Sequence, residues 1–294
     1  NMTTPMPSPT PTVKPTIAAI ICFFVISIII NLELRFVTDN NYVLLNLKVE
    51  NEAFTSLQLD ITPDSADRNA QRLGMSKGEI ILIALMMNNY SVNDDILDKL
   101  DKRVCVRNKN RLMHFNGEEF EFYTNVIDSL IIDMEYFPVA RSKTRKTWVE
   151  YEDSWGNERT YGGKRTHEGC DIMSEENKRG VMPVIAASGG TVTNLGWLEL
   201  GGWRIGITSD NGIYYYYAHL DSYADNMAEG TKIRKGQLIG YMGDSGYSKV
   251  EGTVGKFNVH LHFGIYIYVD GKETALNPYY LLKNISNKIL YYQY

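Results

Sequence analysis

Short runs of β-branched and aromatic residues, separated by Gly, Asp and Asn, dominate the chain after Pro138. The runs read GGTVTNL, WRIGITS, GIYYYYAHL, QLIGYMG and NVHLHFGIYIYV. Strands of this length between turn residues are typical of an antiparallel sheet. We therefore predict a mainly β, antiparallel domain over residues 138–284, followed by a tail over residues 285–294.

The stretch before this domain carries helix signals instead. Thr62, followed by proline, is typical of a helix start, and Ser76 with Glu79 forms a capping-box pattern ahead of IILIALMM. Two further helices are predicted over DDILDKLDK and GEEFEFYTNVIDSLIIDM. Together these signals predict a small, mainly helical domain within residues 40–137, in which residues 40–60 form a short strand or a connector.

An apolar run, IAAIICFFVISIII, occupies residues 17–30. With its flanks it reaches the lower edge of the length needed to cross a bilayer, so we predict a transmembrane anchor over residues 16–34. A signal peptide is the first alternative, although no small-residue cleavage site follows the run, and a buried core helix is the second. Residues 1–15 are rich in Pro, Thr and Ser, a composition that predicts disorder. Lys14 before the run and Arg35 after it leave the orientation open.

Charge and cysteine content narrow the classes of function. The formal net charge of −5 leaves no basic footprint, which argues against nucleic-acid binding. Three cysteines without a CxxC pair are too few for a disulfide framework or a thiolate zinc site. Any metal must therefore be held by histidine and carboxylate side chains.

Four of the five histidines fall in the predicted β domain, namely His167, His219, His260 and His262. The fifth, His114, lies in the helical region without a partner nearby, which indicates a structural or surface role. Residues two apart in a strand share a face, so the two histidines of VHLHF face one side while their apolar neighbours face a core. Taken alone, this HxH pattern is most often the polar face of a half-buried strand.

The stretch HEGCD adds a second histidine and a carboxylate. His167 and Asp171 are four apart across a glycine, and the helical HExxH pattern is absent. Together with one more histidine they form the three-ligand set typical of catalytic zinc, and His262 is the natural third ligand. His260 and His219 are then free to act as acid, base or oxyanion donor.

These stretches together carry a resemblance. GGKRTHEGCDIM, PVIAASGGTVTNLG, YYYYAHL, EGTKIRKGQLIGYMGDSG and VHLHFGI follow one another in residues 161–278. In that order they resemble the lysostaphin-type M23 family of zinc metallopeptidases, which cleave peptide bonds in bacterial peptidoglycan. The upstream YEDSWGNERTYGG is similar to a clostridial-type subgroup. The resemblance covers about half the chain and includes neither the apolar run nor the helical domain.

The resemblance implies an M23-type groove and a set of residue roles. The implied Zn²⁺ ligands are His167, Asp171 and His262. His260 is implied as general base, His219 as the residue that stabilises the oxyanion, and Tyr161 as an assisting donor. The implied protein is a single-pass, membrane-anchored zinc endopeptidase on the cell-wall side, acting on peptidoglycan peptides. A non-catalytic M23-like scaffold or partner-binding protein of the cell envelope is the alternative, and an intact ligand set argues against it.

Three features leave questions for the structure. VGKFNVHLHF is longer and more charged than the Gly-Pro-type turn common in the family, so glycine cross-bridges, D-Ala–diaminopimelate bonds and stem-peptide bonds all remain open as substrates. Cys170 lies beside Asp171, and strand alternation should turn its thiol away from a metal. Tyr215 and Tyr217 either line the groove or pack within the strand's core.

Overall fold

The structure is a computed structural model that describes residues 13–38, 52–269 and 271–294. The chain divides into two compact units, residues 1–46 and residues 47–294. The predicted disorder of residues 1–15 falls largely on residues 1–12, which lie outside the described residues. The same holds for most of the predicted strand or connector over residues 40–60.

The first unit contains helix α1, Val13–Thr38. Its 26 residues rise about 39 Å at 1.5 Å per residue, and the window Ile17–Leu34 has a mean hydropathy of 2.6 with none of its side chains buried. Among the described residues it is the one helix long and apolar enough to cross a membrane. A membrane anchor and a signal sequence both meet this criterion.

The second unit begins with helices and one short parallel strand pair. In chain order these are α2 Glu52–Thr55, β1 Gln58–Asp60, α3 Pro63–Leu73, α4 Lys77–Met87, β2 Ser91–Asn93, α5 Asp94–Asp98, α6 Lys102–Phe115 and α7 Gly117–Asp133. Helix α4 is apolar on every side and almost wholly buried, so it forms the centre of the helical part.

The predicted helix starts are confirmed. The Thr62 side chain accepts a hydrogen bond from the backbone of α3, and Ser76 with Glu79 makes both bonds of the capping box at the start of α4. The helix predicted over DDILDKLDK ends early, at Asp98. Helix α6 was not predicted at all, although the Asp101 side chain caps it by accepting from two backbone N–H groups.

The rest of the second unit is mainly β. Its strands are β3 Arg141–Ser142, β4 Val149–Glu150, β5 Glu158–Arg159, β6 Arg165–Thr166, β7 Cys170–Ser174, β8 Pro183–Ile185, β9 Gly190–Leu198, β10 Gly202–Thr208, β11 Tyr214–Tyr223, β12 Lys232–Ile233, β13 Leu238–Met242, β14 His260–Val269, β15 Lys272–Leu276 and β16 Tyr291–Tyr292, with helix α8 Tyr279–Asn284 before the last.

Ten of these strands form one antiparallel sheet, which confirms the predicted fold class. Its main path runs β12-β9-β10-β11-β14-β7-β4, and β13, β8 and β15 pair beside it. The strands β5 and β6 form a separate hairpin, and β16 pairs in parallel with β3. Strand β11 therefore lies beside β14, and β14 beside β7, which brings three histidine- or aspartate-bearing strands together.

The tyrosines of YYYY divide between the two faces of β11. Tyr215 and Tyr217 are fully buried and pack on Phe263, so they belong to the core and not to the groove. Tyr214 and Tyr216 take the opposite face, where they lie against Tyr266. Because all four residues are tyrosine, the sequence does not show which two face the core and which two face the cleft.

The helices and the sheet belong to one unit and are joined by polar contacts. The Asp133 carboxylate, at the end of α7, accepts from Asn211 Nδ2 at 2.7 Å and from the Tyr215 hydroxyl at 3.4 Å. On α8, Lys283 Nζ lies 2.6 Å from an Asp60 carboxylate oxygen of β1. The domain boundary at 137/138 and the tail from residue 285 stay predictions, with contacts running across both.

Candidate active site

One face of the sheet forms the floor of a cleft of about 490 Å³. The alternate residues of several strands point into it. Its lining comprises Arg159, Arg165, Thr166, His167, Glu168, Asp171, Asn194, Leu198, Leu200, Gly201, Arg204, Tyr214, Tyr216, His219, Tyr247, His260, His262, Tyr266, Tyr268 and Glu273. Four histidines, one aspartate and three arginines therefore share a single concave site.

The cleft contains a compact His-Asp-His cluster. Ligand-type atoms of His167, Asp171 and His262 all lie within 4.8 Å of one another. Asp171 Oδ1 is 3.0 Å from His167 Nε2 and 2.9 Å from His262 Nδ1, and the two ring nitrogens are 3.1 Å apart. Antiparallel pairing of His262 on β14 with Asp171 on β7 produces this contact.

Neighbouring groups orient both imidazoles of the cluster. Nδ1 of His167 lies 3.1 Å from the Ser154 carbonyl oxygen and 3.0 Å from the Ser154 hydroxyl, so that Nε2 faces the cluster. The His262 ring packs directly over Gly169, where a Cβ atom would lie 2.5 Å from Cε1. A glycine at residue 169 is therefore needed for the ring to occupy this position.

The cluster fits a zinc ion by its chemistry. Two imidazoles and a carboxylate are a ligand set that catalytic zinc accepts, and the orienting bond from His167 to a backbone carbonyl is the kind of outer contact that metal-binding histidines make. Burial alone would raise the pKa of Asp171, but the hydrogen bonds with His167 and His262 outweigh it and hold the pKa below its ordinary value. Asp171 is thus ionised, as a metal ligand must be.

Arg159 reaches the cluster from the β5–β6 hairpin. Its Nη2 lies 2.6 Å from Asp171 Oδ2, the oxygen that does not face the histidines. The guanidinium fixes the carboxylate plane, so Asp171 presents only Oδ1 to the cluster. No sequence pattern pointed to Arg159, because hairpin geometry alone brings it to a residue twelve positions away.

The other two histidines of the cleft lie side by side, outside the cluster. The ring centroids of His219 and His260 are 4.7 Å apart, and His260 Nε2 is 3.8 Å from Asp171 Oδ1. Nδ1 of His260 donates to the Asn258 carbonyl, and Nδ1 of His219 donates to the Ser245 carbonyl, both at 2.7 Å. A carbonyl can only accept, so both neutral rings carry their lone pair on Nε2.

Burial keeps both of these imidazoles neutral. It lowers the pKa of His260, partly offset by the Asp171 charge, and it lowers the pKa of His219 well below the ordinary value, with His260 adding to the effect. His219 also has a φ of +62°, at an irregular point of the β10–β11 pairing. A non-glycine residue in this region is uncommon and is often found at functional sites.

The remaining predicted site residue, Tyr161, lies at the rim. It is not among the residues that line the cleft, and its ring stacks on Tyr247 with centroids 4.4 Å apart. Tyr247 itself lines the cleft and makes an edge contact with the His219 ring. The role of Tyr161 stays a prediction, and Tyr247, which the sequence did not single out, lies between Tyr161 and His219.

The remaining predictions concern the Cys170 thiol, the surface histidine His114 and the apolar residues of VHLHF. Cys170 is buried, its Sγ lies 3.6 Å from the Glu152 carbonyl, and burial raises its pKa, so the thiol is turned away from the cluster as strand alternation requires. His114 is exposed on α6, which agrees with the surface role expected for it. Val259, Leu261 and Phe263 are buried, as the HxH strand pattern predicted.

Comparison with known proteins places this site in a family. The model of peptidase family M23 matches residues 165–278. The L-Ala–D-Glu endopeptidase of Bacillus subtilis is 41% identical over 134 residues, which is 46% of this chain and 40% of that protein. Lysostaphin of Staphylococcus simulans is 34% identical over 104 residues, which is 35% of this chain and 19% of that protein. The match therefore spans less than half the length of these two relatives.

A solved structure extends the similarity to the helices. A crystal structure from Ruminococcus gnavus, described as a candidate glycyl-glycine endopeptidase lytM, has a TM-score of 0.70 and 35% identity. It covers 87% of this chain and 98% of that chain. The segment matched by the family model contains the whole His-Asp-His cluster and both neighbouring histidines, and the chain belongs to peptidase family M23.

Proposed function

We propose that this chain is a zinc metalloendopeptidase that hydrolyses peptide bonds of bacterial peptidoglycan. The observation that supports it most is the convergence in one cleft of a His-Asp-His cluster and two neutral imidazoles with free Nε2 atoms. If the histidines only formed the polar face of a half-buried strand, two further buried imidazoles beside the hydrogen-bonded cluster would have no structural role. The Bacillus subtilis relative is named for an L-Ala–D-Glu bond and the Ruminococcus gnavus structure for a glycyl-glycine bond, so the bond cut by this chain is a separate question.

Each residue of the cluster has a definite part in this proposal. His167, Asp171 and His262 hold the zinc ion, with Arg159 and the Ser154 carbonyl fixing two of them. A zinc ion held by these residues would supply a water molecule whose pKa is lowered towards about 7 and would polarise the scissile carbonyl. The cleft, open at one side, leaves room for an extended peptide beside the cluster.

His260 is the general base. Its Nδ1–H is committed to the Asn258 carbonyl, so Nε2 is the nitrogen that accepts a proton from water in the cleft. Because burial lowers its pKa, the base remains unprotonated at neutral pH. After protonation, the same nitrogen can donate to the leaving amine.

His219 stabilises the oxyanion, and the structure restricts how it can do so. Only Nε2 is free, because Nδ1–H stays bonded to the Ser245 carbonyl, so Nε2 donates a hydrogen bond only after the ring has taken up a second proton from solvent. A developing negative charge on the substrate oxygen favours this protonated form. One such donor is typically worth about 3 kcal/mol in the transition state. Assistance from Tyr161 requires its ring to leave the stack on Tyr247.

The first test measures zinc content and muropeptide release together, on the full chain in detergent. The variants are His260→Ala and, as a matched control, His114→Ala, which removes a surface imidazole far from the cleft. One zinc per chain, with digestion of purified peptidoglycan lost only in His260→Ala, is the expected result. If the unmodified chain binds zinc but digests no peptidoglycan, the scaffold alternative is favoured. If it binds no zinc, the His-Asp-His cluster is only the polar face of a strand.

We also propose that α1 remains as a single-pass anchor with the second unit on the cell-wall side. Its length and apolar composition support the anchor, and the location of peptidoglycan sets the side. Mass spectrometry of the intact chain from carbonate-washed membranes should retain residues 17–34. Recovery of a soluble chain that lacks them would assign the helix to a signal sequence instead.

A further inference from the structure

Arg204 is the one arginine of the cleft that has no partner among the described residues. Its side chain lines the cleft from β10, and its Nε and Nη1 atoms are buried without a hydrogen-bond acceptor. The other two arginines are engaged: Arg159 pairs with Asp171, and Arg165 donates to the Tyr247 hydroxyl at 3.3 Å. No carboxylate of the described chain lies within ion-pair distance of Arg204.

The guanidinium of Arg204 is partly buried and has no counter-charge among the described residues, which is energetically unfavourable. Burial of a charged group costs several kcal/mol unless it is paired, and native proteins leave few buried donors unsatisfied. The acidic residues of the lining do not supply the acceptor: Asp171 pairs with Arg159, and neither Glu168 nor Glu273 makes an ion pair with Arg204 among the described residues. A ligand that fills the cleft is the remaining source of an anionic acceptor.

The backbone around Arg204 is held rigidly, and the space beside it is open. The Tyr223 hydroxyl donates to the Arg204 carbonyl at 2.9 Å and accepts from the Gly196 N–H at 3.0 Å. Gly196 is the residue directly opposite Arg204 on β9, and such pairs share a face of the sheet. Apart from its chain neighbours, no atom of the described residues lies within 4 Å of where a Gly196 side chain would start. A ligand group can therefore approach the guanidinium over Gly196.

Sheet register sets the distance between Arg204 and the cluster. Arg204 faces the irregular stretch of β11 that carries His219, and on the other side of β11 Ala218 pairs with His262. Two interstrand steps of about 4.8 Å separate Arg204 from His262, or about 10 Å in all. An extended peptide spans at most about 3.6 Å per residue, so a group bound at Arg204 lies within about three residues of the bond at the cluster.

From these observations we propose that Arg204 binds a carboxylate of the substrate and makes the cleft selective for acidic stem peptides over glycine cross-bridges. A guanidinium donates charge-assisted hydrogen bonds to a carboxylate, and Nη2, which is not among the buried nitrogen atoms of Arg204, is the donor that a ligand in the cleft can reach. A glycine bridge has no side-chain carboxylate to place there. This inference rests on the proposed function, because it names the substrate class of that same cleft.

The test uses two peptides that differ in a single group. Both carry a stem-peptide sequence around the scissile bond, one with a free glutamyl carboxylate and the other with that group as a carboxamide, and pentaglycine is the third substrate. The zinc-loaded full chain in detergent is compared with Arg204→Gln, with Arg204→Lys, and with Arg234→Gln as a matched control that removes an exposed arginine outside the cleft. Turnover gives kcat and KM, and calorimetry gives binding.

We expect the unmodified chain to prefer the carboxylate peptide. Loss of a charge-assisted hydrogen bond should raise KM for that peptide about tenfold or more in Arg204→Gln, with kcat and carboxamide turnover nearly unchanged. Unchanged carboxamide turnover also shows that the variant is folded, and Arg204→Lys should keep part of the preference. The Arg234→Gln control should keep all of it.

Two results would overturn the inference. One is a carboxylate preference that survives in Arg204→Gln, and the other is an unmodified chain that cuts pentaglycine or the carboxamide peptide as well as the carboxylate peptide. If the unmodified chain cuts none of them, the proposed function fails, and calorimetry then decides on Arg204 alone. Tighter binding of the carboxylate peptide than of the carboxamide peptide, lost in Arg204→Gln, would support a carboxylate site at Arg204. Equal binding of the two peptides by the unmodified chain would refute it.

Discussion

Gly169→Ala tests whether the position of the His262 ring determines metal binding. A Cβ atom at residue 169 would lie 2.5 Å from His262 Cε1, 2.6 Å from Nε2 and 2.8 Å from the Phe263 carbonyl oxygen. Ordinary carbon contacts are about 3.5 Å or longer, so the imidazole is about 1 Å too close to remain in place. The Phe263 oxygen belongs to the backbone of β14 and cannot move aside without disturbing the strand.

The displacement should weaken zinc binding more than it weakens the fold. Sites of this kind need their ligands held within about 0.5 Å, and disturbing the groups that orient a ligand typically costs about 10- to 100-fold in metal affinity. Overpacking of a closely packed site costs about 1–3 kcal/mol of stability. We therefore expect the dissociation constant for zinc, measured by competition with a chromophoric chelator, to rise by at least about tenfold.

Gly117→Ala is the control for this experiment. A Cβ atom there meets nothing within 4 Å among the residues that the structure describes, and the residue begins α7, outside the lining of the cleft. This variant should bind zinc as the unmodified chain does. Equal zinc affinity in Gly169→Ala and Gly117→Ala, with unchanged unfolding midpoints, would show that the His262 ring does not depend on the glycine beneath it.

Three other perturbations have distinct expected outcomes. Asp133→Ala removes the acceptor of the buried Tyr215 hydroxyl and of the exposed Asn211 amide, and should lower the free energy of unfolding by about 1–3 kcal/mol in a denaturant titration; an unchanged value would mean that the α7 contact is not stabilising. Cys170→Ala should retain one zinc per chain by metal analysis, because the thiol faces a backbone carbonyl, and loss of zinc would make the thiol a ligand. The zinc-free chain should lose stability as pH falls from 7.5 towards 5.5. The pKa values of His219, His260 and His262 are lower in the folded chain than the unfolded value near 6.5. The unfolded chain therefore binds more protons at these residues as pH falls. Each histidine should lower the free energy of unfolding by up to about 1.4 kcal/mol per pH unit. A flat profile would contradict these lowered values.

Local patterns were sufficient for part of the fold and part of the site. Alternation in VHLHF correctly separated the imidazole face from the buried face, and the capping box of Ser76 located the start of α4. Helix α6 was missed because its many charged residues obscure the apolar stripe and because LDKLDK merges its cap, Asp101, with the helix before it. Which tyrosines of YYYY are buried could not be predicted, because the four residues are identical.

The groups that support the site depend on pairing over long sequence distances. Asp171 and His262 are 91 residues apart, and only the register of β7 on β14 sets their contact. Ser154 and Arg159 approach from loop and hairpin positions that have no spacing rule. Arg204 looks like an ordinary strand residue in WRIGITS, and only its burial without an acceptor distinguishes it.

The contacts of α8 and β16 also have a consequence for how the chain folds. Lys283 contacts Asp60 across 223 residues, and Tyr291–Tyr292 pairs with β3, the first strand of the β region. Contacts of such long range are slow to form, since most of the chain must be arranged before they close. The Asp60 carboxylate and strand β3 therefore stay without these two partners until residues 283 and 292, respectively, have been synthesised. Folding of the second unit is completed only after nearly the whole described chain has emerged, and earlier intermediates expose unpaired strand edges.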